Sequence, residues 1–276
     1  MDITNRNFFR VLRQGAFGVS EELEPISQFK WNRILQIAMA QDLFHYVAKG
    51  LMNHYGDKDI CLSQASWNEI SIEAQKKQPD IRTIILNILQ QEPMPSNVLL
   101  KYKYKHILKK DSQSEDANID TQQFLTIIVN NINMMFLHGI PLKGIVEMGL
   151  FLRQRGDKID FVRLEHWLHQ LGFVRMACLM GTVLVEHFGF SPAELLFMSK
   201  SEKRGAKLAS RTISENALDN AEIWHFRMKT NGMVENNSQI LRRNLRRSLR
   251  YARYNPIETI SNFIANFAKS LSEIEE

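Results

Sequence analysis

Hydrophobic residues recur along this chain every three to four positions, which is the repeat of an α-helix. Residues 31–51 show this most clearly, because nine of their apolar positions form one stripe on a helix: 31, 34, 35, 38, 39, 43, 46, 47 and 51. Residues 81–89, 124–137 and 174–188 are apolar enough to predict helices buried on more than one face. No run alternates polar and apolar residues convincingly as a half-buried strand does. The pattern predicts an all-α fold, an irregular multi-helix assembly of about ten helices with no substantial sheet.

Polar residues that can cap a helix stand in front of several predicted helices. Ser191 is followed by Pro192 at the first helical position and Glu194 at the third, the combination called a capping box. The same logic predicts helix starts at three further residues: Asp120, Asp160 and Asn255. Gly172 suits the position after the helix that Asp160 begins, since glycine accepts the left-handed backbone that ends many helices.

A polar stretch at residues 111–118 separates two groups of predicted helices. Its only apolar residue is Ala117, and its composition predicts a mobile loop. We interpret the chain as a single helical domain over residues 1–276. Within it, the loop can divide an N-terminal helical lobe, 1–110, from a C-terminal helical lobe, 119–276.

Composition agrees with a helical fold and excludes several classes of protein. The 276 residues include 13 glycines and 7 prolines, which is few for a β-sandwich or for glycine-rich nucleotide-binding loops. Two cysteines, Cys61 and Cys178, cannot build a disulfide framework. No apolar run reaches the roughly 18–20 residues that span a bilayer, and the N-terminus lacks the apolar core of an export signal. We therefore expect a cytoplasmic location and no transmembrane segment.

Both ends of the chain resemble a family of uncharacterised nucleotidyltransferases best known from Bacteroidetes. Near the N-terminus the resemblance rests on residues 8–18 and on the helical pattern of residues 31–51. Further along it rests on residues 124–142 and 149–160 and on the arginine-rich segment that ends at Glu258. These motifs are mostly helix-packing patterns.

The resemblance implies that the catalytic core of the family is missing from this chain. In full-length members the core carries Leu-Lys-Gly, an arginine and Gly-Asp-x-Asp, whose paired carboxylates hold Mg²⁺ against nucleotide phosphates. The region between the two matching ends, roughly residues 53–120, is too short and too helical to contain that core. The resemblance therefore implies a non-catalytic relative without a cofactor, a binding or scaffolding protein with an unknown protein partner.

One pair of carboxylates keeps an enzymatic alternative open. Asp57 and Asp59 form the only Asp-x-Asp in the chain, and Gly56 precedes them. On a strand, this pair would be suited to bind Mg²⁺, and the chain would be a nucleotidyltransferase. The surrounding sequence favours a charged turn, because Ser63 and the residues after it predict another helix start.

A second set of residues repeats other parts of the family motif. Lys143 and Gly144 belong to a Leu-Lys-Gly step, and Asp157 and Asp160 follow at Asp-x-x-Asp spacing. Such spacing would place the two acids on opposite faces of a strand, so they could not share a metal ion. The capping role of Asp160 explains them better.

Histidine and cysteine residues give only weak indications of a metal or catalytic site. His166 and His169 lie one helical turn apart, but the pair lacks the third and fourth ligands that zinc needs. Cys178 lies in a predicted buried helix, where a thiol behaves as a small hydrophobic side chain. We expect packing or surface roles and no metal site.

An arginine-rich stretch at residues 240–254 is the strongest charge feature. Its six arginines alternate with leucines and no acid interrupts them: Arg242, Arg243, Arg246, Arg247, Arg250 and Arg253. Residues 200–255 carry 13 basic and 5 acidic residues, an excess of +8 in a chain of formal charge +5. A helix of this kind would bind nucleic acid, anionic lipid or an acidic partner surface. The alternative is a solvated helix whose arginines pair with acids elsewhere in the fold.

A second basic stretch, residues 101–110, interleaves five lysines with Tyr102 and Tyr104. Tyrosines can stack on bases and lysines can hold phosphates. Four acids follow directly and oppose the binding of a polyanion: Asp111, Glu115, Asp116 and Asp120. We therefore interpret this stretch as a solvated helix end before a loop.

Overall fold

The computed structural model describes residues 2–213 and 249–272, and helices provide the regular structure of these ranges. The α-helices are α1 (Ile3–Phe17), α2 (Gln28–Ala40), α3 (Phe44–Met52), α4 (Gln64–Gln75), α5 (Ile81–Gln90), α6 (Val98–Ser112), α7 (Ile119–His138), α8 (Leu142–Arg155), α9 (Phe161–Leu171), α10 (Val174–Phe188) and α11 (Pro256–Ser272). Short 3₁₀ turns follow α8 and α10, and residues 205–213 are also helical. In the described ranges, extended backbone pairs only at an isolated bridge between Ile26 and Ile60. The prediction of an all-α fold is confirmed.

The apolar core is built around α7, α8 and α10. α7 buries side chains over most of its circumference, including Phe124, Leu125 and Ile128, as its apolar sequence predicted. α10 buries every residue from 176 to 184. α5 behaves differently, because it packs on α7 and α8 with one face and leaves Leu86 58% exposed. The prediction that residues 81–89 are buried on more than one face is therefore wrong.

Helices from both ends of the chain share this core. α1 packs against α8 and α10, which lie more than a hundred residues further along the chain. α5 packs against α7 and α8 across the polar stretch 111–118. Buried apolar residues from Phe8 to Tyr254 accordingly form one continuous cluster. The helices on either side of residues 111–118 stabilise each other through it.

Two glycines allow α1 and α3 to pack with their backbones almost in contact. A Cβ atom at Gly15 would lie 1.7 Å from the carbonyl oxygen of Tyr46. A Cβ atom at Gly50 would lie 2.1 Å from the carbonyl oxygen of Val11. No side chain fits at either position, so the pairing of these two helices depends on both glycines.

The long stripe at residues 31–51 is divided between two helices. α2 ends at Ala40, and Asp42 adopts a left-handed backbone conformation with φ of 53°. The Leu43 amide donates to the carbonyl oxygen of Ala38 at 2.8 Å, and α3 begins at Phe44. The sequence pattern does not predict this break, because the apolar stripe continues through the turn. The helical repeat of apolar residues describes the spacing of side chains and not the continuity of the backbone.

The predicted helix starts are partly confirmed. The carboxylate of Asp160 accepts from the Arg163 amide at 2.9 Å, and the Asn255 side chain accepts from the Glu258 amide at 2.9 Å. The capping box that Ser191 forms with Glu194 begins only the 3₁₀ turn Pro192–Glu194 and not an α-helix. Asp120 does not cap α7, because the helix starts at Ile119 and its cap is the Asn118 side chain.

The polar stretch 111–118 begins inside a helix. α6 continues to Ser112, and Asp111 is buried although it carries a charge. Its carboxylate accepts from Arg163 Nη1 at 2.7 Å, Gln122 Nε2 at 2.6 Å and the Asn118 amide at 3.1 Å. Asp111 therefore ties the end of α6 to α7 and α9, since a buried carboxylate is stable only when it is paired.

Candidate binding surfaces

Where its side chains are described, helix α11 presents large apolar residues to solvent and buries polar residues against the protein. Four large apolar side chains are exposed, by 41–60%: Ile257, Ile260, Ile264 and Phe267. Three polar residues are buried on the other side: Glu258, Thr259 and Asn262. A surface helix normally does the opposite. The four exposed apolar residues are called the α11 face below.

Polar contacts with the start of α6 hold α11 in this orientation. The Glu258 carboxylate accepts from the Ser96 amide and, at 3.2 Å, from the Asn97 amide. Asn97 Nδ2 donates to Ser261 Oγ at 2.9 Å, and Asn262 Nδ2 donates to Ser96 Oγ at 3.0 Å. Burial raises the pKa of Glu258, while the two amides oppose that rise. The α11 face is thereby turned outward.

Most of the predicted anion-binding arginines lie outside the described residues, namely Arg242, Arg243, Arg246 and Arg247. Arg250 is half-buried, and Arg253 is exposed beside the ring of Tyr254. The Arg253 guanidinium lies 5.2 Å from the centre of this ring, and the Arg175 guanidinium lies 5.1 Å from it. The described end of the arginine-rich segment is therefore packed around Tyr254 next to α10.

Asp57 and Asp59 lie in the turn between α3 and α4, and both are exposed. The Nδ1 atom of His54 lies 3.6 Å from the carboxylate of Asp57. Residues 53–120, all of which are described, form α4, α5 and α6 and no strand. Among the described residues, no three His, Cys, Asp or Glu side chains cluster closely enough to hold a metal ion.

The other residues that resemble the family motif have structural contacts. Lys143 pairs with Asp42 across α8 and the turn before α3. Gly144 packs against Asn131, whose Nδ2 donates to the Gly144 carbonyl oxygen at 3.0 Å. Asp157 lies in the 3₁₀ turn after α8, separate from the cap of α9. Lys143 and Gly144 therefore connect helices.

The candidate histidines and cysteine also have ordinary neighbours. His166 Nε2 lies 2.8 Å from Gln170 Nε2, and His169 Nε2 lies 3.8 Å from the carboxylate of Glu165. Cys178 is fully buried, with its Sγ 3.8 Å from Ser199 Oγ. Cys61 is exposed after the turn that contains Asp57.

A half-buried glutamate and a buried histidine have shifted pKa values that the sequence pattern does not indicate. Burial raises the pKa of Glu147 on α8 to about 7, although Lys143 one turn earlier acts against the rise. Burial lowers the pKa of His187 on α10 to about 4. Its ring stacks on Phe9 with the ring centres 4.2 Å apart. Both shifts come from helices that meet only in the folded chain, so no local motif signals them.

Comparison with family models, curated proteins and solved structures finds no match for this chain. The resemblance to nucleotidyltransferases therefore stays a prediction. In the described part of the chain, no helix combines the length and the apolar character that crossing a membrane requires.

Proposed function

We propose that this chain is a non-catalytic, helical relative of the nucleotidyltransferases and acts as a binding or scaffolding protein. Its α11 face is the surface that receives a partner protein. The observation that supports the proposal is the inverted orientation of α11, in which Ile260 and Ile264 are each 59% exposed while Glu258 is fully buried. Large apolar side chains placed together on a surface mark sites of protein association.

The spacing of the α11 face matches the anchors of a helix that lies in an apolar groove. Its residues follow each other at intervals of three, four and three positions, so they lie on one side of the helix. Glu258 is the only charged residue among residues 256–267, and it is buried. An uncharged face has nothing to attract a polyanion, so we assign it to an apolar partner helix or groove.

Burial of these side chains would make a large favourable contribution to binding. Each isoleucine that moves from water into an apolar contact contributes about 1.5–3 kcal/mol at full burial. Because Glu258, Asn97 and Asn262 already hold the helix in place, little further ordering is needed when a partner binds. The face is suited to a stable complex.

Site-specific photo-crosslinking in the cells that naturally contain the chain tests this assignment. Benzoylphenylalanine at Ile260 should form a discrete protein adduct, whereas the same group at Ile72, an equally exposed position on α4, should not. The double change Ile257→Glu and Ile264→Glu should remove the adduct, since it places two charges in the contact. Equal adducts from Ile260 and Ile72 would contradict the proposal.

Light scattering of the purified chain identifies the partner if it is a second copy. A dimer that Ile260→Glu dissociates and Ile72→Glu leaves intact would mean that two α11 faces pair with each other. Both variants add one charge at an exposed position, so the comparison controls for net charge. A monomer together with a crosslinked adduct would mean a different protein.

The enzymatic alternative has a separate test. A nucleotidyltransferase that used Asp57 and Asp59 would bind Mg²⁺ and a nucleoside triphosphate there. Isothermal titration with Mg²⁺ and a nucleotide mixture should then give a signal that Asp57→Asn together with Asp59→Asn abolishes. We expect no such difference, because both carboxylates lie in an exposed turn between helices.

Binding of a polyanion through residues 242–253 is the remaining alternative. It predicts retention on heparin that falls steeply with salt and that weakens when Arg246 and Arg250 are changed to glutamate. Two exposed lysines elsewhere, Lys58 and Lys77, provide the matched control for this change of charge. Equal retention of both double variants would remove this alternative.

A further inference from the structure

Helix α6 presents a strip of apolar and aromatic side chains with lysines along both edges. Val98 is 78% exposed, and Leu99 and Tyr102 are each 72% exposed. The ring of His106 lies nearly parallel to that of Tyr102, with an angle of 11° and 6.3 Å between ring centres. At 3.6 residues per turn, three lysines fall on one edge of the strip and two on the other: Lys101, Lys105 and Lys109, then Lys103 and Lys110. These nine residues are called the α6 strip.

The acids at the end of α6 and beyond it do not neutralise the α6 strip. Asp111 is buried and pairs with Arg163 at 2.7 Å. Asp120 pairs with Arg155 at 2.8 Å. Glu115 and Asp116 come after the helix has ended. In the described part of the chain, none of the five lysines forms an ion pair, so their positive charge is available to a ligand.

The opposite side of α6 fixes the α6 strip on the outside of the fold. Leu100, Tyr104 and Ile107 are buried against the core. The Tyr104 hydroxyl forms a hydrogen bond of 2.9 Å with Thr126 on α7. The helix therefore cannot rotate its exposed apolar residues inward without losing these contacts.

We propose that the α6 strip binds the surface of a membrane rich in anionic phospholipids. Val98, Leu99 and Tyr102 would enter the boundary between headgroups and acyl chains, and the lysines at the two edges would contact lipid phosphates. This mode of binding places the helix in the plane of the membrane surface and requires no transmembrane segment. It uses different residues from the α11 face and does not depend on the proposed protein partner.

The exposed aliphatic residues favour a lipid surface over a nucleic acid. Single-stranded nucleic acids bind through aromatic stacking and phosphate contacts. Tyr102 and His106 could serve that purpose, but Val98 and Leu99 would gain nothing from it because aliphatic side chains do not stack on bases. A bilayer surface takes up all four residues, and tyrosine is suited to the interface by its apolar ring and polar hydroxyl.

Vesicle sedimentation with the full chain tests the proposal. The chain should sediment with vesicles in which about a quarter of the lipid is phosphatidylserine and should stay in solution with phosphatidylcholine alone. Lys105→Glu with Lys109→Glu should lower the partition coefficient at least about tenfold, because each lysine near an anionic surface contributes about 1 kcal/mol. Lys58→Glu with Lys77→Glu makes the same change of net charge elsewhere and should retain binding.

A second variant separates membrane insertion from simple charge attraction. Val98→Ser with Leu99→Ser keeps all lysines and should weaken sedimentation several-fold, because it removes apolar surface from the contact. Both residues are exposed, so circular dichroism and the melting temperature should match the wild-type chain.

Several results would overturn the lipid assignment. Vesicle binding that survives both the Lys105/Lys109 and the Val98/Leu99 changes would place the contact elsewhere, for example on residues 242–253. Equal binding to neutral and anionic vesicles would show that the lysines do not contribute to membrane binding. Binding of a labelled oligothymidine that Tyr102→Ala abolishes, with no binding to vesicles, would make the α6 strip a nucleic-acid site.

Discussion

Replacement of Glu147 by glutamine should change how the stability of this protein depends on pH. Glu147 is largely buried on α8, and burial raises the pKa of its carboxyl from 4.5 to about 7. The carboxylate of Asp42 adds to this rise, whereas Lys143 opposes it. Between pH 4.5 and 7 the folded chain therefore keeps a proton that the unfolded chain has released.

The sign and size of the effect follow from this difference in bound protons. The contribution of Glu147 to stability is fully present below pH 4.5 and is lost as the pH rises through 7. A rise of about two and a half pKa units, at 1.36 kcal/mol per unit, corresponds to a loss of about 3 kcal/mol. Glutamine cannot ionise, so Glu147→Gln should gain up to that amount relative to wild type above pH 7.

Urea denaturation of wild type and Glu147→Gln at several pH values between 4 and 8 measures this difference. The free energy of unfolding of the variant, relative to wild type, should rise across the interval. Glu69→Gln removes an exposed carboxyl on α4 and controls for the loss of one negative charge. A difference between Glu147→Gln and wild type that does not change with pH would refute the reasoning.

Three further changes test other parts of the packing. His187→Phe keeps a ring against Phe9, and its free energy of unfolding relative to wild type, measured with urea, should rise by up to about 3 kcal/mol as the pH falls from 6.5 to 4. The reason is that the imidazole of wild type resists protonation when it is buried but takes up a proton when the chain unfolds. A difference in unfolding free energy that does not change with pH would contradict this. Gly15→Ala should cost at least about 1–3 kcal/mol in the same assay, since its Cβ would meet the Tyr46 carbonyl, whereas Gly156→Ala has open space and should be nearly neutral. Arg163→Met should cost about 2 kcal/mol by leaving the buried Asp111 carboxylate without its cation, and a double-mutant cycle with Asp111→Asn should show coupling.

Local features of the fold could be predicted because they depend on residues close together in sequence. The buried helices α7 and α10 follow from their runs of apolar side chains, and the caps at Asp160 and Asn255 follow from contacts three residues apart. A helix cap or an amphipathic period acts within about one turn, so one stretch of sequence contains all the information needed.

Breaks and boundaries were predicted less well. The sequence pattern does not predict the turn at Asp42, because the apolar stripe continues across it. The break depends on the left-handed backbone conformation of this one residue. The cap of α7 is Asn118, two residues before the predicted cap Asp120. Both residues are good caps, and only one of them can be used. Competing local signals of similar energy are decided by the packing of the rest of the chain.

The candidate surfaces show most plainly where sequence information ends. Local sequence determined that α6 carries lysines and tyrosines and that a helix follows Asn255. It could not show that Arg163 binds Asp111 or that Arg155 binds Asp120, because those partners lie 52 and 35 residues apart in the sequence.

Nor could the sequence determine which side of α11 faces the protein. That orientation depends on hydrogen bonds between Glu258 or Asn262 and the start of α6, more than 160 residues earlier. Helical periodicity groups residues on one face, but only a neighbouring element decides whether that face is buried. The apolar side of α11 stays exposed because the polar side has the better-matched partners, and this depends on the tertiary structure alone.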